Sequence, residues 1–191
     1  MNRKGTVVWI CGLPGSGKST IAKILLTRFR EDLGRRFEYV SMDELRKKIV
    51  PEPTYDDKER DCAYRSIVQI ARFLAQNGVD VLVDATAHRR IWRDLARSEI
   101  GRNYIEVYVE CPVEVCIERE TRREEKCSVR SKLYEEALLR LRSGKTFSGL
   151  GKVPGVDEPF EESKSEIVVD SLRYSPDQAA NLILDRIRNS D

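Results

Sequence analysis

Residues Gly12-Leu13-Pro14-Gly15-Ser16-Gly17-Lys18-Ser19-Thr20 constrain this chain more than any other stretch. They follow the apolar run Val7-Val8-Trp9-Ile10-Cys11 and precede Ile21, Ile24 and Leu25 at helical spacing. Gly-x-x-x-x-Gly-Lys-[Ser/Thr] therefore stands between a strand and a helix, the context its chemistry needs. The glycines let successive backbone N–H groups turn toward one anion. The helix start adds the positive end of its dipole, and Lys18 adds a full charge. The hydroxyl of Ser19 is placed for the Mg²⁺ that accompanies a nucleotide. The plainer alternative is a glycine-rich turn before an ordinary helix. The motif in its flanks predicts ATP-type triphosphate binding by residues 12–20.

The rest of the chain alternates strand and helix patterns. Strands are expected near Thr6–Cys11, Phe37–Ser41, Val79–Asp84, Tyr104–Val109 and Glu166–Val169. Helices are expected after the glycine loop to Leu33, over Glu44–Ile49, Asp57–Gln76 and Ile91–Ile100, after Pro112, and from Pro176. This alternation implies an α/β fold of P-loop NTPase type: a parallel sheet of about five strands with helices on both faces. Ligands in such sheets lie beyond the carboxyl ends of the strands. The site walls are then Gly12–Thr20, Ser41–Arg46 and Asp84–His88.

With 191 residues, one domain spanning 1–191 is expected. A net charge of +2 offers no bulk attraction to nucleic acid or membrane. No apolar run approaches the roughly 18 residues of a membrane span, and no signal-peptide pattern follows Met1, so a cytoplasmic protein is expected. Cys11, Cys62, Cys111, Cys116 and Cys127 form no Cys-x-x-Cys pair, and His88 is the single histidine. No zinc site is expected, and the thiols read as reduced.

Residues 119–152 break the regularity. They carry Arg119, Arg122, Arg123, Lys126, Arg130, Lys132, Arg140, Arg142 and Lys145. Leu133, Ala137, Leu138 and Leu141 supply an apolar stripe for one helix, whereas Thr121–Ser131 is almost devoid of apolar residues and reads as a mobile lid. GTPase switch motifs are absent, since Asp84 is followed by Ala85-Thr86-Ala87. A small chain with a basic lid fits a small-molecule kinase, in which closure excludes water and cations neutralise the transferring phosphoryl group. Any one of these arginines reads equally as part of a solvated helix face.

Asp43, just past the second strand, reads either as the acid that accepts a proton from an attacking hydroxyl or as the cap of the following helix. Asp84 reads as an orienter of Mg²⁺-bound water or Lys18, or as a structural cap. His88 is a site residue or a supporting group.

Several further stretches resemble the adenylylsulfate kinase family. Asp43…Arg46 matches its Asp-x-x-Arg, and Tyr55-Asp56-Asp57-Lys58-Glu59-Arg60 its Phe-Ser-x-x-Asp-Arg. Glu110-Cys111-Pro112-Val113-Glu114-Val115-Cys116 matches its Asp-Cys-Pro-Leu-Glu-Val-Cys. Leu133-Tyr134 with Ala137, Lys145-Thr146-Phe147-Ser148-Gly149-Leu150, and Pro159-Phe160-Glu161 match later motifs. The resemblance covers nearly the whole chain. It implies transfer of the γ-phosphate of ATP to the 3′-hydroxyl of adenosine 5′-phosphosulfate, with Mg²⁺ as cofactor. It also implies that Asp43, Lys18 and Lys145 are catalytic and that Ser19 is on the metal. Asp43, Arg46, Tyr55, Arg60 and Phe147 would hold the acceptor, with Tyr55 and Phe147 sandwiching its adenine. The chain departs from the pattern at Ala63, where Asn is common, at Ala87-His88, where Ser-Pro is common, and at Ser41, where the first Asp of Asp-Gly-Asp is common. It also carries insertions before Leu133 and around Gly151–Val156. The expected partners are ATP and adenosine 5′-phosphosulfate, with self-association as a homodimer left open and no nucleic acid or membrane. A kinase of the same fold acting on another hydroxyl metabolite, an RNA-directed kinase and a nucleotide-responsive binding protein are the alternatives.

Overall fold

The computed structural model describes residues 3–122, 132–147 and 151–189. Five strands form one parallel sheet: β1 (Val7–Cys11), β2 (Phe37–Ser41), β3 (Asp80–Asp84), β4 (Tyr104–Glu110) and β5 (Ile167–Asp170), in the order β2-β3-β1-β4-β5. The three inner strands are rich in Val, Ile and Leu because both faces of the sheet are covered. Every residue of β1 and β3 is buried.

The helices are α1 (Lys18–Leu33), α2 (Met42–Ile49), α3 (Asp57–Gln76), α4 (Arg90–Ile100), α5 (Val113–Thr121), α6 (Leu133–Ser143) and α7 (Pro176–Arg188). Helices α1 and α7 bury Leu25, Phe29 and Ile183 against Val8, Ile10 and Leu82 on one face. On the other face, α3 and α4 bury Ile67, Ala71 and Trp92 against Val7, Trp9 and Val83. This segregation follows from strand alternation, which sends adjacent side chains to opposite faces. A third cluster, under α5 and α6, packs Cys116, Tyr134, Ala137 and Val153 behind Leu13 of the glycine loop.

The caps match local chemistry. Asp56 accepts from the Glu59 N–H at 2.9 Å, and Ser175 with Gln178 forms a reciprocal capping box on α7 behind Pro176. Two expectations change here. The cap of α2 is Ser41, whose Oγ accepts from the Glu44 N–H at 3.4 Å, so Asp43 lies inside the helix and is not its cap. In α6 the buried stripe is Tyr134 and Ala137, while Leu141 is 61% exposed, because α6 covers only the narrow cluster behind Leu13.

Candidate active site

At the carboxyl edge of the sheet the chain leaves β1 into the glycine loop and enters α1 at Lys18. Gly15 has φ +84°, and a Cβ there would lie 2.5 Å from the Cys116 carbonyl oxygen. Only glycine fits this turn. Tyr134 donates its hydroxyl to the Pro14 carbonyl at 2.8 Å, and Arg119 donates to the Ser16 carbonyl at 3.3 Å. The cradle is thus braced from behind by α5 and α6. Ser16 Oγ is buried and has no protein partner. A buried hydroxyl without a partner in a cradle of backbone amides suits a phosphate oxygen. Ser19 stands in the first turn of α1 beside Lys18.

Across the sheet edge, α2 carries Asp43. Asp43 keeps contact with solvent, while nearby protein atoms partly desolvate its carboxyl. Desolvation pushes its proton affinity above the ordinary carboxylate value. The Lys18 ammonium opposes that shift, and the neighbouring Asp84 reinforces it. Asp43 and Lys18 are therefore within electrostatic reach of each other. Asp84 is 5% exposed and accepts from the Tyr39 hydroxyl at 2.8 Å.

The predicted acceptor residues form a second group. The guanidinium carbons of Arg46 and Arg60 lie 4.8 and 5.8 Å from the Tyr55 ring centroid. Arg46 pairs with Glu59. Arg60 donates to the carbonyls of Tyr55 at 2.8 Å and Lys152 at 2.6 Å. These contacts leave further guanidinium donors for an anion. Tyr55 has φ 55°, a left-handed conformation costing about 1–2 kcal/mol in a non-glycine residue. Its turn is held by Glu59, which accepts from the N–H groups of Thr54 and Tyr55 at 2.5 and 2.6 Å. Phe147 packs half-buried against the cluster behind Leu13, and the Lys145 ammonium lies 5.7 Å from its ring centroid. Among the described residues Tyr55 and Phe147 make no direct ring contact.

Two arginines of the expected lid are committed to fixed partners. Arg119 is fixed to Ser16, Cys111 and Ser171, and Arg140 to Gly151 and Asp157. Neither belongs to a free basic face. Arg123, Lys126 and Arg130 lie outside the described residues, as do Ser148-Gly149-Leu150.

The insertion around Gly151–Val156 becomes a strap. Gly151 abuts Tyr55 at φ +56°, Val153 is fully buried, and Gly155 packs on Leu13 and Val113. Sequence reasoning missed Glu158, on which this strap converges. Its carboxylate accepts from His88 Nε2 at 2.9 Å, Arg89 at 2.7 and 3.2 Å, and Lys152 at 3.0 Å. It also missed Arg93, fully buried on Glu106 and on the Ala87 carbonyl. Ala87 has φ 43°, and its N–H donates to Tyr64 Oη at 2.7 Å. His88 and Arg89 lie 70 and 69 residues from Glu158, and no local spacing announces them. Ala63 is buried in the core.

Residues 4–170 match the family described as adenylylsulphate kinase. A probable adenylyl-sulfate kinase of Archaeoglobus fulgidus is 34% identical over 166 residues, spanning 86% of this chain and 95% of that protein. A probable adenylyl-sulfate kinase of Pyrococcus abyssi is 32% identical over 182 residues, spanning 95% and 94%. A solved APS kinase of Mycobacterium tuberculosis, in complex with AMPPNP and APS, has a TM-score of 0.77 at 25% identity, covering 97% of this chain and 98% of that one. No helix among the described residues is long and apolar enough to cross a membrane. With a glycine-loop cradle at the start of α1 and an acid on α2 within electrostatic reach of Lys18, the chain belongs to the adenylylsulphate kinase family and is an ATP-dependent phosphotransferase.

Proposed function

We propose that the chain transfers the γ-phosphate of ATP to the 3′-hydroxyl of adenosine 5′-phosphosulfate, releasing ADP and the 3′-phosphorylated product. The observation that carries this is the pair of guanidinium groups beside the Tyr55 ring, whose hydroxyl also feels the Asp43 charge. A guanidinium fork suits the paired oxygens of a phosphosulfate, and an aromatic ring beside two cations suits an anionic nucleotide. Stacking of adenine on Tyr55, with Phe147 as the opposite face, is worth about 1–3 kcal/mol per base.

Asp43 accepts the proton of the 3′-hydroxyl as that oxygen bonds to the γ-phosphorus, and the bond from phosphorus to the β–γ bridging oxygen breaks. The desolvation that raises its proton affinity makes Asp43 a stronger base. Lys18 and Lys145 neutralise phosphate charge, and the amides of residues 12–20 hold the triphosphate. Mg²⁺ bound with ATP would screen the β- and γ-phosphates, and the hydroxyl and carboxylate oxygens of Ser19 and Asp84 suit a hard cation. Among the described residues no cluster of three or more His, Cys, Asp or Glu could hold a metal alone, which fits a cation completed by phosphate oxygens and water. A cytoplasmic homodimer is part of the same proposal, and sedimentation measures the assembly.

ADP release measured with ATP, Mg²⁺ and adenosine 5′-phosphosulfate tests the reaction. Acceleration by this acceptor, with a 3′-phosphorylated product, is expected. Failure with it, alongside turnover of another compound in a panel of hydroxyl metabolites, overturns the acceptor assignment and leaves phosphotransfer intact.

A further inference from the structure

Tyr55 holds a left-handed conformation, φ 55°, which a tyrosine keeps only where its surroundings over-determine it. Two sets of contacts do so. On one side Glu59 accepts from the N–H groups of Thr54 and Tyr55. On the other side stands the strap of residues 151–158. The Arg60 guanidinium joins turn and strap: its Nε donates to the Tyr55 carbonyl at 2.8 Å and its Nη2 to the Lys152 carbonyl at 2.6 Å. Gly151 lies so near that a Cβ there would be 2.5 Å from the Tyr55 carbonyl oxygen and 2.7 Å from the Tyr55 Cβ. Only glycine allows this approach.

A strap can brace a neighbour only if it is itself held. Residues 151–156 are an insertion relative to the family pattern, yet they are fixed at both ends. Val156 and Asp157 donate their N–H groups to the Val153 carbonyl at 3.1 and 2.9 Å, and Val153 is fully buried. At the far end, Glu158 takes hydrogen bonds from His88 and Arg89. At the near end the holder is Arg140 of α6. Its Nη1 donates to the Gly151 carbonyl at 2.6 Å, and its Nη2 pairs with Asp157. The Asp157 carboxylate accepts in turn from the Val153 N–H at 2.5 Å. With Arg140 and Asp157 only 25% and 15% exposed, this pair is shielded from the screening that makes surface ion pairs weak. One rigid guanidinium fork fixes its two partners relative to each other, as a flexible ammonium does not.

We propose that Arg140 is a positioning residue for the acceptor: it seats the strap on Tyr55 and so fixes the turn that presents the tyrosine ring. The inserted strap is then the element by which this chain shapes its own acceptor wall. The inference rests on the acceptor half of the proposed function, in which Tyr55 is an acceptor contact.

Steady-state kinetics with ATP and adenosine 5′-phosphosulfate test it, with melting temperatures recorded alongside. Arg140→Met keeps the length of the side chain and removes its donors. It should raise the acceptor KM about tenfold and leave the KM for ATP nearly unchanged. Arg140→Lys should recover part of that loss. Gly151→Ala pushes the strap off Tyr55 from the other end of the same chain of contacts, and should raise the acceptor KM to a similar extent. Combined, the two changes should cost little more than the larger one alone, because both act through one contact. An unchanged acceptor KM in Arg140→Met, equal changes in both KM values, or simple multiplication of the two effects overturns the inference. Should Arg140→Met fail to fold, Arg140→Lys and Gly151→Ala carry the test, and a parental acceptor KM in Gly151→Ala overturns it.

Hydrogen exchange in the acceptor-free protein separates this inference from the acceptor reading. The amides of Thr54 and Tyr55 should exchange several-fold faster in Arg140→Met than in the parent. Parental exchange overturns the role of Arg140. A parent protein that does not turn over adenosine 5′-phosphosulfate overturns the acceptor reading alone, and the exchange rates then decide whether Arg140 holds the turn.

Discussion

The Glu158 carboxylate accepts a hydrogen bond from His88 Nε2 at 2.9 Å, which fixes the buried imidazole as the tautomer protonated on Nε2. Burial opposes ionisation of Glu158, but Arg89, His88 and Lys152 outweigh it and hold the carboxyl well below its ordinary range. Desolvation lowers His88 to about 4, against the pull of Glu158, so the ring is neutral at pH 7.

A folded pKa below the unfolded one means that the unfolded chain binds more protons between pH 6.5 and about 4. Stability contributed by neutral His88 is therefore full above pH 6.5 and declines as pH falls through that window, by a few kcal/mol at most. Glu158 acts in the same direction at lower pH. Thermal melts from pH 7 to 4 should show a flatter profile in His88→Gln than in the parent. Parallel profiles would show that His88 is not the titrating group.

Asp43 has the opposite sign. Its folded pKa is raised, so the native state binds more protons above the ordinary carboxylate pKa, and stability declines as pH rises through the raised value. Asp43→Asn should be at least as stable as the parent at pH 7 while kcat falls about 10²–10⁴-fold. Denaturant melts beside steady-state assays separate the two effects. Near-parental kcat removes the base assignment.

Glu59 builds the Tyr55 turn and neutralises Arg46. Glu59→Ala should raise the acceptor KM roughly tenfold, equivalent to one lost charge-assisted interaction, with the KM for ATP nearly unchanged. Equal changes in both constants would show a general loosening of the fold.

Phe147→Ala should likewise raise the acceptor KM more than that of ATP. Because Phe147 also packs behind Leu13, a melting temperature recorded alongside distinguishes loss of stacking from loss of the cluster.

Gly15→Ala places a methyl 2.5 Å from the Cys116 carbonyl at φ +84°. The backbone conformation alone costs about 1 kcal/mol or more, and the clash moves the cradle. Weaker ATP binding and a lower melting temperature are expected. Calorimetric titration with ATP showing parental affinity would contradict this view of the loop.

The sequence by itself determined the order of strands and helices, the cradle of residues 12–20 and the bounds of α3. Each depends on chemistry within a few residues: period-2 and period-3.6 burial, glycine conformations and capping side chains. It also brought Asp43 into view, by its place just past the second strand, while Arg46, Tyr55 and Arg60 came into view through the resemblance to the adenylylsulfate kinase family. The roles of Arg119, Arg140 and Glu158 were decided only by the tertiary structure. Their partners sit in distant segments, and whether a surface-looking arginine is solvated or committed depends on which backbone carbonyls the packed helices present. The same holds for Ser41 and Asp84. Nothing local says that two residues more than forty positions apart face each other. The pairing of β2 with β3 makes them neighbours, because closure of a parallel sheet sets register through the burial of whole strands.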